Sequence, residues 1–136
     1  MRQDPASSVL QERPRVLVVD DDPLVRRCVC RLLESAFVTL GAEDGETALA
    51  LVRRGVRIDA VVSDVMMGGM DGTELHRQLV ASEHPLARAF LFLSGGMSEI
   101  QRAYTRESAV RVLLKPVARA ELVGAVTRLC GDLALE

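Results

Sequence analysis

Five short apolar runs punctuate this chain of 136 residues, and they limit its fold more than any other feature. They are Val16-Leu17-Val18-Val19, Phe37-Val38-Thr39-Leu40, Ile58 to Ser63, Ala89-Phe90-Leu91-Phe92-Leu93 and Val110 to Leu114. A continuous apolar run bounded by turn residues is the pattern of a strand buried on both faces. Between the runs, apolar residues recur at helical spacing. The spacing predicts helices from Pro23 to about Ser35, from Asp44 to near Gly55, from Thr73 to about Ala81, from about Ser98 to Glu107 and from about Ala118 to Gly131. Alternating strands and helices imply βαβ units. The expected fold is therefore α/β: a doubly wound, five-stranded parallel sheet of order 2-1-3-4-5, covered by helices in three layers.

The length fits one domain, expected at 15–132. Residues 1–14 are polar and proline-marked and read as a mobile arm, with 133–136 as a C-terminal tail. Apolar residues make up 49% of the chain, and the net charge of -2 gives no reason to expect nucleic-acid binding. No apolar stretch has the length of a membrane span and no signal peptide is visible, so a cytoplasmic protein without a membrane partner is expected. The odd cysteine count does not suggest a disulfide framework, and Cys28, Cys30 and Cys130 read as reduced packing residues.

In a parallel sheet every strand leaves at the same rim. Four of the five exits here are polar: Asp20 with Asp21, Asp64, Ser94 and Lys115. Strand order 2-1-3 sets the first and third exits side by side, which gathers Asp20, Asp21 and Asp64 in one crevice. Three carboxylates repel one another unless a cation joins them, and a hard divalent ion such as Mg2+ suits oxygen ligands. An acid with a free oxygen beside that ion can act as a nucleophile. Lys115 is the sole lysine among 17 basic residues, which ties it to its position. Its amine and the Ser94 hydroxyl both suit a phosphoryl group.

Taken together, Val16-to-Asp22, Asp59-to-Gly72, Phe90-to-Ser94 and Leu113-to-Pro116 resemble the receiver domains of two-component response regulators, which have a flavodoxin-like (βα)5 fold. The resemblance implies that Asp64 is the phosphoacceptor, charged by a histidine kinase or histidine phosphotransfer protein. It implies that Asp20 and Asp21, with the backbone carbonyl of Met66, hold Mg2+. It makes Ser94 the switch hydroxyl and Lys115 the phosphate contact, and suggests a cis peptide between Lys115 and Pro116. Such a domain catalyses only its own phosphorylation and dephosphorylation, and signals to a downstream protein. No output domain follows the last helix, so no direct nucleic-acid contact is expected. The sequence fits a stand-alone regulator and a receiver taken from a hybrid kinase equally.

Some residues depart from the family pattern. Gly68 stands where proline is usual, which implies a looser loop, and Val112 stands where an aromatic switch residue is frequent. The segment from Ser94 to Lys115 is short, so an abbreviated or irregular fourth helix is expected, with Ile100, Ala103 and Tyr104 on one side. Met66, Met67 and Met70 read as loop packing, with Met66 a candidate shield for an acyl phosphate. His76 and His84 read as surface residues. Two other readings exist. A pseudo-receiver would bind partners without phosphate. A haloacid-dehalogenase-like phosphatase would use Asp20 and Asp22, whose spacing mimics its acid pair, though the chain lacks that family's cap and later acids.

Overall fold

The computed structural model describes residues 13–134. Five strands form one parallel sheet, β1 (Arg15–Val19), β2 (Val38–Ala42), β3 (Ala60–Asp64), β4 (Phe90–Ser94) and β5 (Arg111–Leu114), in the order β2-β1-β3-β4-β5. Five helices connect them: α1 (Pro23–Leu33), α2 (Gly45–Arg53), α3 (Gly72–Ala81), α4 (Glu99–Ser108) and α5 (Arg119–Ala134), with a short 3₁₀ turn at Pro85–Ala87. Helices α1 and α5 pack together on one face, while α3 contacts both α2 and α4 on the other. This is the doubly wound architecture that the apolar runs predict.

The central strands are apolar because water reaches neither face. Val16, Leu17, Val18 and Val19 of β1, and Ala60, Val61 and Val62 of β3, are all buried, as are Phe90, Leu91, Phe92 and Leu93 of β4. Each large side chain buried in this way contributes about 1.5–3 kcal/mol. Edge strand β2 has partners on one side only, and its residues are correspondingly less buried. Register sets the rim: Val19 pairs with Ser63, and Asp64 pairs with Leu93. Asp20 and Ser94 thus leave the sheet within one residue of the level of Asp64.

Helix starts are fixed by side-chain caps, each typically worth ~1 kcal/mol. The Asp22 carboxylate accepts the amides of Leu24 and Val25, and Pro23 occupies the first helical position. Asp44 and Asp71 do the same for Thr47 and Glu74. The α3 start is also a place of close approach. A Cβ on Gly72 would lie 2.3 Å from the carbonyl oxygen of Asp64, so only glycine lets this helix begin so near the strand end.

Several boundaries and faces differ from expectation. Phe37 closes α1, donating its amide to Leu33, so β2 starts one residue later and runs on to Ala42. Helix α5 continues through Ala134, past its expected end at about Gly131. Most of the expected N-terminal arm lies outside the described residues. Its described end is tied down: Pro14 accepts the Val38 amide, and the Arg13 guanidinium donates to the Glu34 carbonyl. Helix α4 is neither abbreviated nor irregular; it has ten residues and a capping box between Ser98 and Gln101. Its inner face is Gln101 and Thr105, while Ile100 is 77% exposed. The reason is local satisfaction: Gln101 bonds the Ser98 amide and Thr105 the Arg102 carbonyl, so both polar side chains tolerate burial. Of the cysteines, Cys28 is exposed and only Cys30 and Cys130 are partly buried, so the packing role fails for Cys28.

Candidate functional site at the carboxyl rim of the sheet

The three acids expected to meet do meet. One carboxylate oxygen from each of Asp20, Asp21 and Asp64 lies within 4.8 Å of the others. Asp20 is only 3% exposed and makes two bonds: Oδ1 accepts the Asp22 amide at 2.9 Å and Oδ2 faces the Lys115 ammonium at 3.2 Å. Lys115 also pairs with Asp64 Oδ1 at 3.5 Å. The lysine thus bridges the two acids that sit on adjacent strands. Asp21 is exposed, and its Oδ2 accepts the amide of Gly68 at 3.3 Å.

Burial pushes the Asp64 carboxyl above the ordinary aspartate range, opposed by Lys115, and the neighbouring Asp20 raises it further. The Met66 amide bonds to it and works in the opposite direction, as Lys115 does. Three acids therefore share one amine. The donor set is all oxygen and its charge is in excess by two, which fits a hard divalent cation. Asp20, Asp21 and Asp64 are the side chains able to hold it.

Ser94 is 1% exposed and does not point freely at the acids. Its hydroxyl donates to the Gly96 carbonyl at 2.8 Å and accepts the Gly96 amide at 3.0 Å. The Lys115–Pro116 peptide is cis, as the resemblance implied. A Cβ on Gly68 would meet open space, and its amide makes the bond to Asp21 that a proline lacks. Met66 is 58% exposed and is not loop packing; Met67 and Met70 pack against the core. Val112 is half-buried in β5 and brings no hydrogen-bonding group.

Sequence reasoning missed three contributors. Arg26 reaches back from α1 to the Asp20 carbonyl at 2.7 Å, fixing the strand exit. Glu46 accepts the Met70 amide at 3.0 Å and so holds the loop after Asp64. His76 is not a surface residue: it is 3% exposed, wedged between α3 and β4, with its ring 4.9 Å from that of Phe90. His84 is also engaged, its Nδ1 accepting the Leu86 amide to cap the 3₁₀ turn. The readable signal for His76 is its period, since it stands four residues after Gly72 and three before Leu79 on the buried face. Between α1 and the β5–α5 turn lies a smaller apolar groove, with Leu24 and Cys28 on one wall and Lys115 and Pro116 on the other.

Comparison with known proteins agrees with this geometry. Residues 16–127 match the model of the response regulator receiver domain. The chain belongs to the response regulator receiver domain family. It is 40% identical over 110 residues to the response regulator MprA of Mycobacterium sp. (strain KMS), covering 80% of this chain and 47% of that protein. It is also 30% identical over 135 residues to the sensor histidine kinase GacS of Pseudomonas protegens, covering 96% of this chain but 15% of the kinase. The chain therefore spans about half the length of the first relative and a small part of the second. Among solved structures, a response regulator receiver protein from Pseudomonas putida superposes with a TM-score of 0.76 at 30% identity, covering 85% of this chain and 97% of that one. The chemotaxis protein CheY4 of Vibrio cholerae gives 0.73 at 28% identity, covering 85% and 98%. No helix among the described residues is long and apolar enough to cross a membrane. The phosphatase reading is left without its acid pair, because Asp22 is consumed in capping α1.

Proposed function

We propose that this chain is a phosphoacceptor module of a two-component system, taking a phosphoryl group on Asp64 from a phosphohistidine protein. The observation that carries the reading is the Lys115 ammonium held between Asp20 and Asp64, a positive charge poised where a transferred phosphoryl group would bring negative charge. In the proposed step an Asp64 oxygen attacks phosphorus and the new O–P bond forms as the donor's N–P bond breaks. The electron pair leaves with the imidazole nitrogen, which takes up a proton. A hard divalent cation, Mg2+ by preference, when bound supplies charge neutralisation for the acids and the phosphoryl oxygens.

The chain's own residues then have separate tasks. Asp20 and Asp21, with the Met66 carbonyl, would hold the cation. Lys115 turns from the carboxylates to the incoming phosphoryl group. Ser94 exchanges its Gly96 partner for a phosphoryl oxygen. The module acts on no other substrate, works in the cytoplasm, and passes its state to a downstream protein through its surface. The test is intact mass after incubation with Mg2+ and acetyl phosphate. One added phosphoryl group that requires Mg2+ and is lost in Asp64→Asn supports the reading. No adduct from acetyl phosphate or from a phosphohistidine protein, on folded chain, overturns it.

A further inference from the structure

A groove of about 880 Å3 runs between α3, the 3₁₀ turn and α4, with His76, Arg77 and Tyr104 among its lining residues. His76 is buried, and both its ring nitrogens are used. Nε2 faces the Ala87 carbonyl at 2.9 Å, and Nδ1 meets the Tyr104 hydroxyl. A carbonyl can only accept, so Nε2 carries the proton and Nδ1 accepts from Tyr104. Burial lowers the imidazole's pKa, which keeps that neutral tautomer in place. The Arg77 guanidinium lies 4.5 Å over the Tyr104 ring and clasps it from outside.

The buried Gln101 and Thr105 of α4, and its Ser108, hydrogen-bond within their own helix or its cap. Tyr104, by contrast, reaches across to another element, the His76 ring of α3. Its partner ring also packs edge-on against Phe90 and Phe92 of β4, the strand that ends in Ser94. From Ser94 the chain needs only Gly95, Gly96 and Met97 to reach Ser98, the cap of α4. Gly96 therefore sits between two alternatives. While its amide and carbonyl hold the Ser94 hydroxyl, α4 starts where it does. If that hydroxyl turns away, the loop and the cap beyond it are free to shift. The groove beside Tyr104 gives its ring room to follow.

We propose that the Tyr104 hydroxyl and the His76 ring form a catch that fixes α4 on α3 while Asp64 is unmodified, and releases it when Ser94 is drawn to a phosphoryl group. The release half rests on the reading of Asp64 given above; the catch half does not. Tyr104 and His76 are positioning residues in this scheme, since neither touches the acids.

Amide hydrogen exchange of wild type and Tyr104→Phe tests the catch, and the ring nitrogen resonances of His76 in wild type, before and after loading with acetyl phosphate and Mg2+, test the release. The expected result is that α4 amides exchange about tenfold faster in the variant while α1 amides keep their protection. In wild type, loading Asp64 is expected to move the Nδ1 resonance and loosen α4 in the same way. Unchanged α4 exchange in Tyr104→Phe overturns the catch. An unmoved Nδ1 resonance in chain whose mass shows the phosphoryl group overturns the release and leaves the pair a static core contact. If no donor loads Asp64, the phosphoacceptor reading falls and the release with it, while faster α4 exchange in the variant still upholds the catch.

Discussion

Two clusters of partly buried polar groups stand out in this molecule, and they are built on opposite terms. At the sheet rim, Asp20, Asp21 and Asp64 share the single ammonium of Lys115. Acceptors outnumber donors, and burial holds the Asp64 carboxyl at a raised pKa. Between α3 and β4, by contrast, every polar atom of His76 and the hydroxyl of Tyr104 has one matching partner. A satisfied buried network specifies one arrangement; an unbalanced one asks for a further ion or group. The contrast separates a cluster that can take a further group from one that is already complete.

The sharpest way to break both clusters at once is Gly72→Ala. Its Cβ would fall 2.3 Å from the Asp64 carbonyl and 2.9 Å from the Phe92 ring, so α3 must back away from the strand that carries the acid. Overpacking of this kind costs about 3 kcal/mol or more, readable as a fall in the urea midpoint. Next in size is the cation. Mg2+ at 100 times its dissociation constant should stabilise wild type by about 2.7 kcal/mol, and a chelator should remove that gain. In a thermal melt of Asp20→Asn the same addition should do far less.

Asp64→Asn should abolish phosphoryl uptake yet raise the melting temperature by a few degrees at neutral pH. The sign follows from the raised folded pKa: a raised carboxyl favours the fold below its unfolded value of 3.8, and that contribution is lost as pH rises through the folded value. Wild type and variant should therefore converge in acid. His76 runs the other way. Its folded pKa lies below the unfolded 6.5, so its contribution is full above 6.5 and is lost as pH falls through the folded value. A stability profile of wild type against His76→Phe should show the two curves approaching one another on that acid side. The smallest effect is expected for Gly68→Pro, which deletes the 3.3 Å bond to Asp21 in otherwise open space. Denaturant melts should place it within about 0.5 kcal/mol of wild type.

The rim was legible in the sequence because a buried strand advertises itself twice, by an uninterrupted apolar run and by the polar residue that ends it. Asp20, Asp64, Ser94 and Lys115 each close such a run, and parallel pairing alone brings them to one level. The caps at Asp22, Asp44 and Asp71 obey an equally local rule, since an acid just before a helical stretch can accept its free amides. The burial of His76 was legible in its helical period, but its role was not, because nothing nearby in the sequence names its partners. Those partners, Ala87 and Tyr104, are 11 and 28 residues away, joined to it only by the packing of α3 and α4 on β4. Arg26 escaped notice because its role is paid out on a backbone carbonyl, which no side-chain pattern records. The inner face of α4 misled because Gln101 and Thr105 are buried against the usual rule, their hydrogen bonds closed within the helix and its cap.

One further consequence concerns the thiols. Burial raises the pKa of Cys30, and pushes that of Cys130 up to about 11, so both stay protonated near neutral pH and react slowly. Cys28 is the exposed one, and it stands across a narrow groove from Lys115 and Pro116. A thiol-selective fluorophore should attach there in a single position, without mutagenesis. The dye would then sit across that groove from Lys115, the amine shared by Asp20 and Asp64, giving an optical reporter already built into the native chain.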